Sequence, residues 1–535
     1  MGRHKVESKE VVGPDEIVDR FSKASPSHPH LISITGVQYG KEIEIIYSLD
    51  DLRGSIVHVA TRVPLERPII DSVSKELSSA SIYEQEVHDL FGVTFKGNPL
   101  GTSKLLLPDC FPEGLHPGLK EVSSEGVEKT LERTCLESVP SIYVTGASRY
   151  SVESAVVLPY GPYHPALKEP ERFVFVLEGE KIIDVVPRIG HIHRGIEKLA
   201  EARTLLQDLF LVERICGICS FSHSWAFTLA VEELLGMHAP RRAEYLRTLV
   251  AELERIHSHL LWIGLIGYWT GFESAFMWIW ELRERILNVI DAITGNRVHK
   301  SFITFGGTRR DVPDDVLASA SKTLSDFERD YERLLDEIMS YEPLVERLRG
   351  IGRYSAEQAV RLGAVGPMIR AAGVPYDIRK VDPYGAYGEV GFEVVTGKEG
   401  DAYSLLVLRA REVLESVRIA RECAEKAPRG ENPVPKVPFV GVVKEGETIS
   451  RVEAPRGELF YYLRGTNART PHRVKIRTPT LANVALTAAM LRGATLSDVP
   501  VVLTAMDPCF SCMDRAVAVD VRTGKSYPLS FDVRR

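Results

Sequence analysis

Two Cys-x-x-Cys pairs carry the most pointed chemistry available to this chain. The first lies in Arg214-Ile215-Cys216-Gly217-Ile218-Cys219, the second in Asp507-Pro508-Cys509-Phe510-Ser511-Cys512. Each pair can offer two thiolates to one metal, and together they supply four soft sulfur ligands. A lone pair of this kind is often half of a zinc site, but zinc pairs lie within a few tens of residues of each other. These are 293 positions apart. A redox dithiol needs one pair and a βαβ setting, not two distant pairs. The pattern points to a redox metalloenzyme rather than a scaffold. Thiolates bind metal in the deprotonated form, so a site built from four of them calls for a nearby cation.

The elements that must bring the pairs together are read from periodicity. With 535 residues, the chain exceeds one ordinary core and calls for two or more domains. A formal charge of -7 leaves no basic surplus for nucleic acid, and 44% hydrophobic with 26% charged residues is a globular composition. Seven cysteines in such a length are no disulfide framework and suit a reducing compartment. The start shows neither a secretory signal nor a lipid-anchor context. No apolar run reaches the roughly 18 residues of a membrane span, so any membrane link is expected to run through partner chains.

Residues up to about 100 read as a small α/β unit. Helical spacing over 15–24 and 72–91 flanks β-rich runs at 31–38, 43–49 and 56–63. The stretch 101–148 is rich in Gly, Pro, Ser and Glu and reads as a linker region. Beyond it, 173–177 and 181–186 predict a hairpin. Helices are predicted over 194–211, 221–235, 239–266, 272–294, 313–339 and 402–424. Short β-rich runs follow at 437–443, 450–452, 459–463 and 474–477. The fold class expected is α+β: a small N-terminal α/β domain, then a mainly helical domain with peripheral β elements. The division expected is 1–120, a linker over 121–148, a main unit over 149–515 and a tail over 516–535.

The flanks of the cysteines sharpen the reading. Arg214-x-Cys216-Gly217-x-Cys219-x-x-x-His223, with Asp507-Pro508-Cys509-x-x-Cys512, resembles the large subunit of NiFe hydrogenases over roughly residues 150–535. The resemblance implies that all four cysteines bind nickel and that Cys219 and Cys512 also bridge to an iron carrying cyanide and carbon monoxide. Cys216 and Cys509 would be terminal on nickel. Arg456, in Glu453-Ala454-Pro455-Arg456-Gly457, matches the family arginine over the metals; a turn arginine on a surface loop is the plain alternative. Thr480, in Thr478-Pro479-Thr480, resembles the hydroxyl residue that donates to a cyanide. Asp507 matches the carboxylate beside the terminal cysteine, and as a residue it could instead cap a short helix. His223 would donate to a bridging sulfur, or be a satisfied core histidine. Glu169, in Lys168-Glu169, corresponds to the glutamate that passes protons from a nickel thiolate; an exposed loop carboxylate is the alternative. One departure stands out: in His257-Ser258-His259-Leu260-Leu261-Trp262-Ile263-Gly264, the glycine stands where many hydrogenases carry an acid.

The N-terminal stretch from Tyr83 through Glu84, Glu86, Asp89 and Gly92 to Leu100 resembles the signature of the small hydrophilic subunit of respiratory complex I, with Asn98 where His is usual. Ile192-His193-Arg194-Gly195-Ile196-Glu197-Lys198-Leu199 and Thr294-Gly295-Asn296-Arg297 are similar to the quinone-site subunit of that complex. Fusion of the two with the cysteines intact resembles the large subunit of formate hydrogenlyase and related energy-converting hydrogenases. The N-terminal unit is then expected to dock a neighbouring subunit.

Cys110, Cys135 and Cys423 are isolated, so no iron–sulfur cluster is expected in this chain, and electrons must come from an iron–sulfur small subunit. Membrane subunits of a complex I-like module would hold the assembly on the cytoplasmic side of the cell membrane. In the family a maturation endopeptidase cuts a few residues after the last cysteine, here expected after Arg515; an ordinary strand at 516–521 is the alternative. Most members have His where Arg515 stands, the residue that often completes a magnesium site, so magnesium stays open. Rival readings are a nickel-free quinone or ferredoxin oxidoreductase subunit and a non-catalytic assembly subunit.

Overall fold

The computed structural model describes residues 9–24, 27, 29–101, 104–107, 111–123, 127, 156–435 and 441–512, with the backbone at 518–519 and 526–527. Cys110, Cys135, most of the predicted linker, Arg515 and most of the tail lie outside the described residues. Within the tail, Ala518–Val519 pairs with Ser526–Tyr527.

The N-terminal unit is a four-stranded sheet with helices on one side. Strands β1 (Lys9–Val11), β2 (His30–Tyr39), β3 (Glu42–Asp50) and β4 (Ile56–Pro64) lie in the order β1-β4-β3-β2. Only β1 against β4 is parallel. Helix α1 (Ile17–Ala24) and helix α2 (Ala80–Phe91) contribute Phe21, Tyr83, Val87 and Phe91 to the core that takes in Ile34, Ile45, Tyr47 and Leu49. The predicted helix over 72–91 is therefore shorter, because Ser72 and Ser74 form a turn held by Glu84. That carboxylate accepts from Ser72 Oγ at 2.6 Å and Val73 N at 2.8 Å. Asn98 also donates to it, at 2.9 Å, and Asp89 accepts from Leu105 N and Leu106 N at 2.8 and 2.7 Å. These signature acids act as loop anchors. Short strands β5 (Ile69–Asp71) and β6 (Thr94–Lys96) pair in parallel beside them.

The main part opens with a three-stranded antiparallel sheet, β7 (Val156–Tyr160), β8 (Arg172–Glu178) and β9 (Lys181–Arg188). The expected helix over 194–211 is two helices, α3 (Ile196–Ala200) and α4 (Leu205–Glu213). Thr204 and Gln207 form a reciprocal capping box that starts a new helix. Long helices follow: α5 (Ser220–Leu235), α6 (Arg241–Trp269), α7 (Glu273–Thr294), α8 (Asp314–Ser340) and α9 (Ala402–Lys426). Helix α6 packs along both α7 and α9. The 436–440 part of a predicted strand is outside the described residues, and Val443 makes a bridge with Ala468. Strands β10 (Gly446–Ala454), β11 (Gly457–Gly465) and β12 (Arg473–Arg477) form an antiparallel sheet, followed by helices α10 (Pro479–Leu491) and α11 (Val499–Met506).

The two ends of the chain meet in the interior. The second face of the N-terminal sheet, through Ile32, Val37, Ile46 and Ala60, packs on Ile449, Phe460 and Tyr462 of β10 and β11. Polar ties cross the same seam. Arg477 Nε donates to the Ile32 carbonyl at 2.7 Å, and Arg473 Nε to the Gly36 carbonyl at 3.1 Å. Lys475 pairs with Glu86. One apolar core runs from Ile17 to Phe510.

Candidate metal centre

Two backbone turns carry the four cysteines. The first follows α4, and α5 begins directly at Ser220, after Cys219. The second follows α11, which ends at Asp507 in the left-handed conformation, φ 58°. Such a backbone suits glycine or a short polar residue and turns the chain sharply. Asp507 thus ends a helix rather than starting one, which corrects the capping alternative.

The turns bring the sulfurs together. Cys216 Sγ lies 3.1 Å from Cys509 Sγ, Cys219 Sγ 3.8 Å from Cys512 Sγ, and Cys509 Sγ 3.0 Å from Cys512 Sγ. All four are free thiols; three are buried and Cys512 is half-buried. Ligand atoms of Cys216, Cys219 and Cys512 lie within 4.8 Å of one another. Two thiolates on one metal at about 2.3 Å can lie at most about 4.6 Å apart, and each of these three pairs is closer than that. Without a cation the group cannot ionise together. Thiol hydrogen bonds, led by that from Cys219, pull Cys216 well below the usual range. Those led by Cys216 push Cys219 and Cys512 well above it. Donor type, spacing and electrostatics fit a thiolate-bound metal.

A cation stands beside the sulfurs. Arg456 occupies the tight turn between β10 and β11, but it is buried at 6% exposure, not on the surface. Its Nε donates to the Asp507 carbonyl at 2.9 Å and its Nη2 to Asp507 Oδ1 at 3.0 Å, with Nη1 3.4 Å from Ser258 Oγ. Burial opposes its charge, but Asp507 and then Cys509, Cys216 and Cys219 outweigh burial and hold its pKa well above the usual guanidinium range. The turn is fixed by backbone contact, since a Cβ on Gly457 would sit 2.8 Å from Gly366 Cα. Burial likewise pushes Asp507 up, yet Arg456, Lys168 and Arg409 outweigh it and hold its carboxyl below the usual range. Lys168 Nζ donates to Asp507 Oδ1 at 3.2 Å.

The other predicted residues converge on the same place. Thr480, in the first turn of α10, accepts through Oγ1 from Cys509 N at 3.1 Å. His223, one turn into α5, shares a 2.7 Å hydrogen bond between Nδ1 and Tyr461 Oη, while its Nε2 is buried without a partner among the described residues. Burial takes its pKa down to about 3, so the ring is neutral. Glu169, on the loop between β7 and β8, is half-buried and accepts from Ser511 N at 2.7 Å. Burial and the neighbouring Cys509 raise its pKa to about 7. Gly264 of α6 lies against Trp280, whose Cδ1 would be 3.0 Å from an added Cβ, so a carboxylate there would need the indole to move.

Two residues of this surround were not singled out from sequence. Arg409 of α9 is wholly buried, stacks 4.1 Å from the Trp262 ring centroid and donates to the Ala505 carbonyl at 3.3 Å. Its Nε and Nη2 have no partner among the described residues, and burial lowers its pKa to about 10. The signal available was an arginine within the apolar stripe of an amphipathic helix. Tyr461 sits on an inward position of β11, and nothing marks it apart from neighbouring Tyr462.

The sequence matches three family models. The respiratory-chain NADH dehydrogenase 49 Kd subunit matches residues 270–440 and 439–515, and the 30 Kd subunit residues 12–128. The nickel-dependent hydrogenase family matches residues 194–264. Similar curated proteins include the membrane-bound hydrogenase subunit alpha of Pyrococcus furiosus, 38% identical over 71% of this chain and 91% of that protein. Formate hydrogenlyase subunit 5 of Escherichia coli is 34% identical over 90% of this chain and 84% of its own. The C/D 1 subunit of the NADH-quinone oxidoreductase of Aquifex aeolicus is 32% identical over 88% of this chain and 84% of its own.

Proposed function

The chain belongs to the complex I-related oxidoreductase family in which a 30 kDa-type unit is fused to a 49 kDa-type subunit, and on that premise we propose that it is the catalytic large subunit of a NiFe hydrogenase. The observation that carries the reading is the convergence of four free thiols, from loops 293 residues apart, beside one buried guanidinium. When bound, nickel and a carbonyl- and cyanide-ligated iron would supply the redox chemistry that interconverts protons and dihydrogen.

The residues divide the remaining work. Cys216, Cys219, Cys509 and Cys512 would hold the metals through their thiolates. Arg456, kept charged by Asp507, would offset the thiolate charge and present donors to a diatomic ligand. Thr480, with its oxygen already accepting from Cys509 N, has its hydroxyl proton free to donate to another. His223, with Nδ1 taken by Tyr461, would donate through Nε2 to a cysteine sulfur of the site. Glu169 would carry the proton between Cys509 and solvent, since a carboxyl titrating near neutrality can both take and release it.

The assembly follows from the same reading. Among the described residues no helix is long and apolar enough to cross a membrane. An iron–sulfur partner subunit would supply electrons, and complex I-like membrane subunits would hold the complex on the cytoplasmic face. Residues 1–120 would be the docking unit, 149–515 the catalytic unit, and 516–535 a tail removed by a maturation endopeptidase. An intact tail on nickel-loaded, active protein would overturn the last point.

A second reading keeps the fold without nickel: a quinone- or ferredoxin-oxidoreductase subunit. The 49 Kd match and the C/D relative favour it. The four cysteines weigh against it, because a nickel-free quinone or ferredoxin site makes no use of four thiols gathered at one place. The deciding experiment is the nickel-to-protein ratio of purified mature complex, taken with infrared bands of metal-bound carbon monoxide and cyanide. Absence of both from active complex removes the hydrogenase reading.

A further inference from the structure

The two cysteine turns are held in different ways. The first is anchored from behind. Glu254 of α6 accepts from Phe221 N at 2.8 Å, from Ser222 N at 2.9 Å and from Ser222 Oγ at 2.6 Å, taking up donors that the start of α5 leaves open. Lys300 balances that carboxylate at 2.7 Å, with both side chains wholly buried. The second turn is held at its start by Arg456 on Asp507 and by Thr480 on Cys509 N, and next to Cys512 it is gripped at one residue, Ser511. Ser511 N donates to Glu169 at 2.7 Å, and the Ser511 carbonyl accepts from Arg194 Nη2 at 2.6 Å. The same guanidinium reaches the first turn, where Nη1 donates to the Arg214 carbonyl at 2.6 Å and Nη2 to the Ile215 carbonyl.

We propose that Arg194 is a positioning residue for the metal centre, a staple whose single guanidinium ties the backbone of the second cysteine turn to that of the first. Its three acceptors are carbonyls one or two residues before Cys216 or directly before Cys512. A rigid planar fork with several donors can hold them at fixed separation, and an ammonium on a flexible stem cannot. The first turn has its own anchor at Glu254 and Lys300, so it serves as the fixed side. The second turn lacks such a buried carboxylate behind it and is the side that the guanidinium holds in place next to Cys512. This gives a role to the His193-Arg194-Gly195 stretch that the ligand set leaves unused.

The role as positioning residue rests on the metal reading, but the contact can be tested without metal. Nickel-free full-length chain is alkylated with iodoacetamide and each cysteine peptide is followed by mass spectrometry, in wild type, Arg194→Gln and Arg194→Lys. In Arg194→Gln, Cys509 and Cys512 should react on the order of tenfold faster, as loss of charge-assisted hydrogen bonds implies. Cys216 and Cys219 should keep wild-type rates, and Cys423, wholly buried in α9, should stay protected as a reporter of the fold. Arg194→Lys should fall between. Wild-type rates at Cys509 and Cys512 overturn the staple, as does equal acceleration of all four ligand cysteines. If Arg194→Gln exposes Cys423, the same comparison is decided in Arg194→Lys. Nickel content of the mature complex tests the metal reading separately, so failure of one is not failure of the other.

Discussion

Two charge-rich regions lie buried in this protein, about one helical turn apart along α6 and α9, and they treat their charges differently. In the first, Arg370 meets Glu453 at 2.7 Å and Glu412 at 2.8 Å. Arg379 meets Asp377 at 2.7 Å and Glu252 at 3.2 Å, and Arg255 lies 3.3 Å from Glu252. Each of these carboxylates faces a guanidinium, and the network ties α6, α9 and β10 together. In the second, around the cysteines, groups are left over. Asp507 Oδ2, His223 Nε2 and two nitrogens of Arg409 are buried without partners among the described residues. Unpaired buried groups are costly. These leftover groups lie beside four thiols, whereas the network a short way off pairs each of its carboxylates with a guanidinium, although Arg370 Nη2 has no hydrogen bond among the described residues.

The comparison can be broken most sharply at a ligand. Cys509→Ala should abolish hydrogen evolution and nickel retention and leave the tail uncut; wild-type turnover would remove the ligand assignment. Next is the network. Arg370→Met leaves Glu453 and Glu412 short of a counter-charge and should cost about 3–5 kcal/mol in denaturant unfolding, because a buried pair is broken from one side. A loss below about 1 kcal/mol would mean that these charges are solvated in a way their burial denies.

A pH test sharpens the contrast. Burial lowers the His259 pKa to about 4, despite its 2.8 Å hydrogen bond with Glu412. The unfolded chain would take up that proton near pH 6.5, before the folded one does. Stability should therefore fall as pH drops from 6.5 towards 4, by on the order of 3 kcal/mol from this residue. Unfolding midpoints of His259→Gln should be less steep over that window; an unchanged slope would remove His259 as the cause. The smallest effect concerns Glu169. Glu169→Gln keeps an acceptor for Ser511 N but loses the exchangeable proton. Isotope exchange between dihydrogen and water should slow about 10- to 100-fold with nickel retained. Unchanged exchange would end the relay role.

The ligand residues were legible because soft donors at fixed local spacing have few uses. Their meeting across 293 residues was expected from the family resemblance alone, since no periodicity records which turns face each other. The break at Thr204 was written in its capping pair with Gln207, yet the continuous apolar spacing of 194–211 hid it. Helices α10 and α11 were missed because they are apolar all round, with no polar face to set a period. The same holds for Tyr461, which looks like any inward strand residue until His223 is placed beside it. The shared core of the N-terminal sheet and β10–β11 was also hidden, because β2 and β3 read as ordinary strands and only folding shows that both faces are covered.

That sheet-to-sheet contact has a consequence for how the protein is made. Joined by one backbone, the faces carrying Ile46 and Phe460 meet at an effective concentration set by the chain between them rather than by expression level. Cleaved between them, the same faces would have to find each other in the cell at whatever dose each fragment reached. Continuity of the chain fixes their stoichiometry at one to one and makes assembly of this seam independent of gene dosage.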